Sequence, residues 1–105
     1  EVNFATNSSL LNSKTMLVLD ELLFFLQSKR SMKIAIHGHT DNVGDEATNV
    51  QLSKSRAKEV MQFLIDNGID QSRLSYKGFG SSKPKVDNSS EKNRAINRRV
   101  DFVIL

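Results

Sequence analysis

The stretch Ile34-Ala35-Ile36-His37-Gly38-His39-Thr40-Asp41-Asn42-Val43-Gly44, followed by Asn49-Val50-Gln51-Leu52-Ser53-Lys54-Ser55-Arg56-Ala57, decides how the rest of the chain is read. Ile34, Ile36 and Gly38 alternate with Ala35, His37 and His39, the period of two that marks a strand. The strand runs into a polar loop, and the second segment opens a long helix. A carboxylate at the strand tip, Asp41, and a guanidinium on the helix, Arg56, are thereby brought near each other.

Elements follow on both sides of this unit. Val2 and Phe4 alternate with Glu1 and Asn3 in a short first strand, and Thr6 to Ser9 form a polar loop. Ser13 is the expected N-cap of a helix running to about Lys29, with Met16, Leu19, Leu23 and Leu26 at helical spacing. The second helix is expected from about Thr48 to Asn67, after Asp45 and Glu46, with Gly68 as its C′ residue. Val50, Ala57, Val60, Met61 and Leu64 make its apolar stripe. A third strand covers Arg73 to Phe79, and Gly78, Gly80 and Pro84 mark the loop after it. Asn88 and Glu91 read as a capping box for a short helix through Ala95. Val100, Phe102 and Ile104 alternate with Arg99, Asp101 and Val103 in a last strand.

The order is β-α-β-α-β-(short α)-β. Long helices joining consecutive strands imply that the first three strands are parallel. Strands with one polar face imply helices on one side only, an α+β two-layer sandwich. Ligand sites in parallel sheets tend to lie beyond the carboxyl ends of the strands. Asn7, after the first strand, and Asp41, after the second, both fall on that edge.

At 105 residues the chain is expected to be one domain. It starts almost directly in a strand, which suggests a domain excised from a longer protein. No apolar run approaches the roughly 20 residues of a membrane span, and no basic start precedes an apolar stretch in the manner of a signal peptide. With no cysteine, structural disulfides and thiolate metal sites are excluded. Fifteen basic residues against twelve acidic ones give a net charge of +3. These basic residues are scattered, unlike the dense stripe with stacking aromatics of a nucleic-acid binder.

Two features near the strand tip invite a chemical reading. His37-Gly38-His39-Thr40-Asp41 has a spacing found in some zinc hydrolases, but these are the only two histidines, and position 42 is Asn where a further ligand would be needed. No serine sits in a Gly-x-Ser-x-Gly elbow either. Neither a metal, a cofactor nor a catalytic residue is expected. On the helix, Asn49, Leu52, Ser53 and Arg56 share one flank beside the apolar stripe. Arg56 then either forms a structural ion pair with Asp41, or stands apart from it so that the two receive the carboxylate and ammonium of an amino acid. Spacing alone leaves both open. Arg98, at the head of a last strand running antiparallel, adds a second cation at the same edge.

Three linked motifs carry a resemblance. Gly38-His39-Thr40-Asp41-Asn42-x-Gly44, Asn49-x-x-Leu52-Ser53-x-x-Arg56-Ala57 and Asn97-Arg98-Arg99-Val100 together resemble the OmpA-like C-terminal domain. Gly68-Ile69-Asp70 through Tyr76-x-Gly78 and Pro84 also fit, so the likeness runs from Val2 to Ile104. It implies a mixed four-stranded sheet of order 1-4-2-3 with strand four antiparallel. It also implies non-covalent binding of peptidoglycan in the periplasm, with a membrane reached only through a part of the protein outside this chain. By resemblance Asp41 holds the side-chain ammonium of diaminopimelate and Arg56 its carboxylate. Asn7, Thr40, Asn49 and Arg98 would be auxiliary contacts, with Leu52 and Ser53 shaping the pocket wall. The chain departs from the pattern at Asn93, where glycine is common. The expectation is therefore a wall-binding module and not an enzyme. The alternative is a protein-interaction domain of an envelope complex, of flagellar-stator or lipoprotein type, using the same edge.

Overall fold

The apolar alternation of the 34–38 stretch becomes the central strand of a sheet. The computed structural model describes residues 2–3 and 13–105, with side chains from residue 15 onward. In chain order the elements are β1 (Val2–Asn3), α1 (Ser13–Ser28), β2 (Ile34–Gly38), α2 (Glu46–Asp66), a 3-10 turn (Gln71–Arg73), β3 (Leu74–Gly78), α3 (Glu91–Asn97) and β4 (Arg99–Ile104). The sheet runs β1-β4-β2-β3. β2 pairs in parallel with β3, aligning Ile34 with Leu74 and Gly38 with Gly78. It pairs antiparallel with β4, aligning Ile36 with Phe102 and Gly38 with Val100. β1 contributes two residues, Val2 and Asn3, against the far side of β4. Phe4, the loop around Asn7 and the expected Ser13 cap interaction lie outside the described residues and side chains.

The core lies between one face of this sheet and the two long helices. Ile34, Ile36, Leu74 and Val100 meet Leu19 and Leu26 of α1 and Ala57, Val60, Met61 and Leu64 of α2. The α+β layering expected from the strand patterns is therefore present. On the opposite sheet face, Lys77, His37 and Asp101 stand side by side, one from each of the three paired strands. Among the described residues no helix is long and apolar enough to cross a membrane.

Element ends show where side-chain chemistry sets the boundaries. α2 starts two residues earlier than the apolar pattern indicates, because the Asp45 carboxylate caps it by accepting from the Thr48 amide at 3.0 Å. At its other end Gly68 takes a φ of 98°, the left-handed turn that stops a helix at low steric cost. α3 is capped by Ser90, which accepts from the Asn93 amide at 3.1 Å, so the Asn88–Glu91 capping box is not formed. The end of α1 and the turn after it are held by Arg73, whose guanidinium donates to the Leu26, Lys29 and Met32 carbonyls at 2.8–2.9 Å. That contact ties α1 to the start of β3 across more than forty residues of sequence.

One packing constraint positions everything near the strand tip. A Cβ placed on Gly38 would lie 2.0 Å from the Ser53 carbonyl oxygen, and one on Gly78 would lie 2.5 Å from the Lys54 amide nitrogen. Only glycine at these paired positions lets the first half of α2 lie directly on β2 and β3. Gly38→Ala is expected to push α2 away and to destabilise the fold by about 1–3 kcal/mol or more. Chemical denaturation checks this. Wild-type stability in the variant would mean that the helix–sheet approach is not tight.

Candidate functional site

The close seating of α2 delivers one flank of the helix to the loop that follows β2. Beyond Gly38 the chain remains fixed, since the His39 amide donates to the Arg99 carbonyl at 2.8 Å and the Thr40 amide to the Gly80 carbonyl at 2.9 Å. Asp41 therefore has a set position. Its Oδ1 accepts from the Val43 amide at 3.0 Å, turning the chain back toward α2. Asn49 closes the turn by donating Nδ2 to the carbonyls of Val43 at 3.1 Å and Asp41 at 3.5 Å. The Thr40 hydroxyl donates to the Asp41 carbonyl at 2.8 Å.

Two guanidinium groups converge on this loop. Arg98 donates Nη1 to Asp41 Oδ2 at 2.9 Å and Nη2 to Glu91 Oε1 at 2.8 Å. Arg56 donates Nη1 to the His39 carbonyl at 3.1 Å. Asp41, Arg56 and Arg98 are 5%, 0% and 7% exposed. Thr40, Asp41, Val43, Asn49, Leu52, Arg56 and Arg98 line one small cleft.

Burial and charge shape the titration of these groups. Burial, then the charge of Arg98, lowers the Arg56 pKa to about 10, with Asp41 acting in the opposite direction. Arg56 thus stays cationic at neutral pH, at a desolvation cost that an anion would relieve. For Arg98 burial works against the charge, but the hydrogen bonds to Asp41 and Glu91 outweigh it and raise the pKa.

Of the residues singled out from the sequence, Thr40, Asp41, Asn49, Leu52, Arg56 and Arg98 come together at this cleft. Asn7 lies outside the described residues. Ser53 is placed differently from its expected role in the pocket wall. It is fully buried under the sheet edge, donates to the Val50 carbonyl at 2.8 Å and accepts from the Gly80 amide at 3.0 Å. The zinc-like spacing does not bring its three side chains together, for the two histidines share Phe79 while Asp41 turns away. Asp41 turns to Arg98, His37 lies edge-on to Phe79, and His39 stacks on Phe79 with its Nε2 3.5 Å from Asp101.

Glu91 and Asn97 carry no local sequence signal of a site, yet Glu91 contacts Arg98 of the cleft. Asn97 is fully buried and locks the loop before α3, accepting from the Lys85 and Val86 amides and donating to the Val86 carbonyl and Asn88 Oδ1. Asn93 donates to Asp87 Oδ1 at 2.9 Å and so helps fold the same loop. Of the three residues of Asn97-Arg98-Arg99, Arg99 is also structural, donating to Asp101 and the Lys83 carbonyl.

Residues 3–98 match the OmpA family, and the chain belongs to that family. It is 35% identical over 101 residues to an outer membrane porin F of Pseudomonas fluorescens, covering 96% of this chain and 31% of that protein. It is 34% identical over 87 residues to the peptidoglycan-binding protein ArfA of Mycobacterium tuberculosis, covering 83% of this chain and 27% of that protein. Among solved structures it resembles the peptidoglycan-associated lipoprotein of Burkholderia pseudomallei, with a TM-score of 0.94 and 28% identity, covering 99% of this chain and 88% of that one. The chain spans about a third of the porin and about a quarter of ArfA.

His39 gives the strand tip a measurable pH signature. Burial first, and then the charge of Arg99, lower its pKa from 6.5 to about 4, against an opposing pull from Asp101. Between these values the unfolded chain binds a proton that the folded chain refuses. Its contribution to stability is complete above 6.5 and is lost as the pH falls toward about 4. Melting temperature is expected to drop over that interval, and His39→Gln is expected to flatten the drop. An unchanged slope in the variant would assign the acid sensitivity to other groups.

Proposed function

We propose that the chain binds peptidoglycan non-covalently through the distal end of diaminopimelate in the stem peptide. In this reading the ligand's ammonium pairs with Asp41 and its carboxylate with Arg56. Thr40, Asn49, Leu52 and Arg98 form the surroundings, Asn7 is an auxiliary contact, and no residue acts as a catalyst. The observation that carries the reading is the charge content of the cleft: one buried carboxylate beside two buried guanidinium groups. Such a site lacks one negative charge, and a ligand carboxylate supplies it. An ammonium on the same ligand carbon has Asp41 as its partner. Each Asp41 oxygen accepts a bond already, but an ionised carboxylate offers about four acceptor positions. Membership of the family and the wall-related names of relatives support the same conclusion.

The role that follows is tethering. The chain would sit in the periplasm and link the wall to an outer-membrane or other envelope anchor elsewhere in its protein.

Selectivity provides the test. Lysine retains the distal ammonium but lacks the carboxylate, which would leave Arg56 desolvated without its ligand partner. That costs about 1–3 kcal/mol beyond the lost contact, or roughly ten- to a hundredfold and more in affinity. Titration calorimetry with stem peptides differing only at this residue is expected to show that preference. Arg56→Lys is expected to erode it, because a point charge does not reproduce the guanidinium fork. Equal affinity of the wild-type chain for both peptides would refute the assignment of Arg56. Because Arg56 is fully buried and holds the His39 carbonyl, each variant's melting temperature is measured alongside.

A further inference from the structure

Glu91 lies outside the cleft lining, yet it shares a guanidinium with Asp41, the one carboxylate among the described residues that line the cleft. Arg98 is a bridge: one terminal nitrogen contacts Asp41 and the other contacts Glu91. The two carboxylates are unlike in exposure. The Asp41 side chain is 7% exposed and that of Glu91 is 65% exposed. The second Glu91 oxygen lies 3.4 Å from Arg94 Nε, one turn along α3.

We propose that Glu91 is a specificity-determining positioning residue, which holds Arg98 by its outer nitrogen and so keeps Asp41 available to a ligand ammonium. This rests on the reading of the cleft given above.

The argument is one of charge balance. An ammonium arriving at Asp41 meets Arg98 already on the same carboxylate. Two cations on one carboxylate repel, and in a desolvated site that repulsion is only weakly screened. Arg98 can give ground only if a second anion continues to hold it. Glu91 is that anion, and it is already in contact. The hydrogen bond from Arg98, with burial opposing it, keeps the Glu91 carboxyl below its ordinary range, so it remains ionised at neutral pH.

Counting the groups that meet in the bridge and cleft makes the consequence explicit. Apart from Arg94 on Glu91's outward oxygen, Asp41 and Glu91 balance Arg56 and Arg98, so a ligand end carrying one ammonium and one carboxylate adds no net charge. Neutralising Glu91 leaves the set with an excess cation. A ligand carboxylate is then still welcome, whereas an ammonium is opposed. Glu91 therefore reads the ammonium without touching it, and its removal changes which ligand is preferred. A merely structural residue would weaken all ligands alike.

The test uses the wild-type chain and Glu91→Gln with two stem peptides, read by calorimetry. One carries diaminopimelate. The other carries 2-aminopimelate, which keeps the distal carboxylate and lacks the distal ammonium. The wild type is expected to prefer the diaminopimelate peptide. In Glu91→Gln the ratio of the two affinities is expected to fall roughly tenfold, and Glu91→Asp is expected to recover part of it. An unchanged ratio in Glu91→Gln, whether both affinities hold or both decline, overturns the proposal while leaving the cleft reading intact. A wild-type chain that binds neither peptide overturns the cleft reading and this inference with it.

Discussion

The burial of Arg56 beneath the tip of β2 is the constraint on which the rest of the site depends. A guanidinium with no exposed surface is costly unless its charge and donors are answered. The His39 carbonyl answers one donor, and Asp41 supplies a nearby negative charge that raises the Arg56 pKa against the effect of burial. Arg98 competes for the same charge, and its own field is one of the two causes that lower the Arg56 pKa. The arrangement is balanced in charge only through the exposed Glu91, and within the cleft it remains short of an anion. Such a deficit is a poor way to stabilise a fold and a good way to hold an acid.

The fold spends its tightest packing on keeping that arrangement rigid. Gly38 and Gly78 remove side chains from two adjacent strands, allowing the backbone of α2 at Ser53 and Lys54 to touch the sheet. Arg56 then reaches the carbonyl of His39, seventeen residues earlier in the chain. The loop in between is closed by Asn49, which donates to the Asp41 and Val43 carbonyls, and the carboxylate itself is held by the Val43 amide on one oxygen and by Arg98 on the other. Pre-organisation of this kind reduces the ordering cost of binding a small charged group.

Much of this was legible in the residues, because each signal was local. Period-two alternation located β2 and β4, helical spacing located α1 and α2, and Gly68 marked the end of α2. Offsets of three, four and seven placed Asn49, Leu52 and Arg56 on one flank, where the structure has them. The choice between a structural ion pair and an open receiving site was not legible, since it turns on Arg98, which is 57 residues from Asp41. Ser53 shared the right flank but sits where α2 presses on the sheet, so spacing could not separate it from its neighbours. Glu91 reads as a capping residue in the sequence because its position three after Asn88 satisfies a helix rule. Its actual partner is Arg98, one residue past the end of the same short helix. Arg73 illustrates the same limit, for its three carbonyl partners lie more than forty residues earlier, at the end of α1 and in the turn after it.

The central claim is that the cleft formed by Asp41, Arg56 and Arg98 receives a zwitterionic ligand end. The most direct measurement follows the arginine side-chain Nε–Hε resonances by NMR as a diaminopimelate stem peptide is added. The account expects the Arg56 and Arg98 signals to shift together and to saturate with one binding constant, while Arg73, at the far end of α1, stays still. Saturable shifts confined to other residues, with Arg56 and Arg98 unmoved, would contradict it.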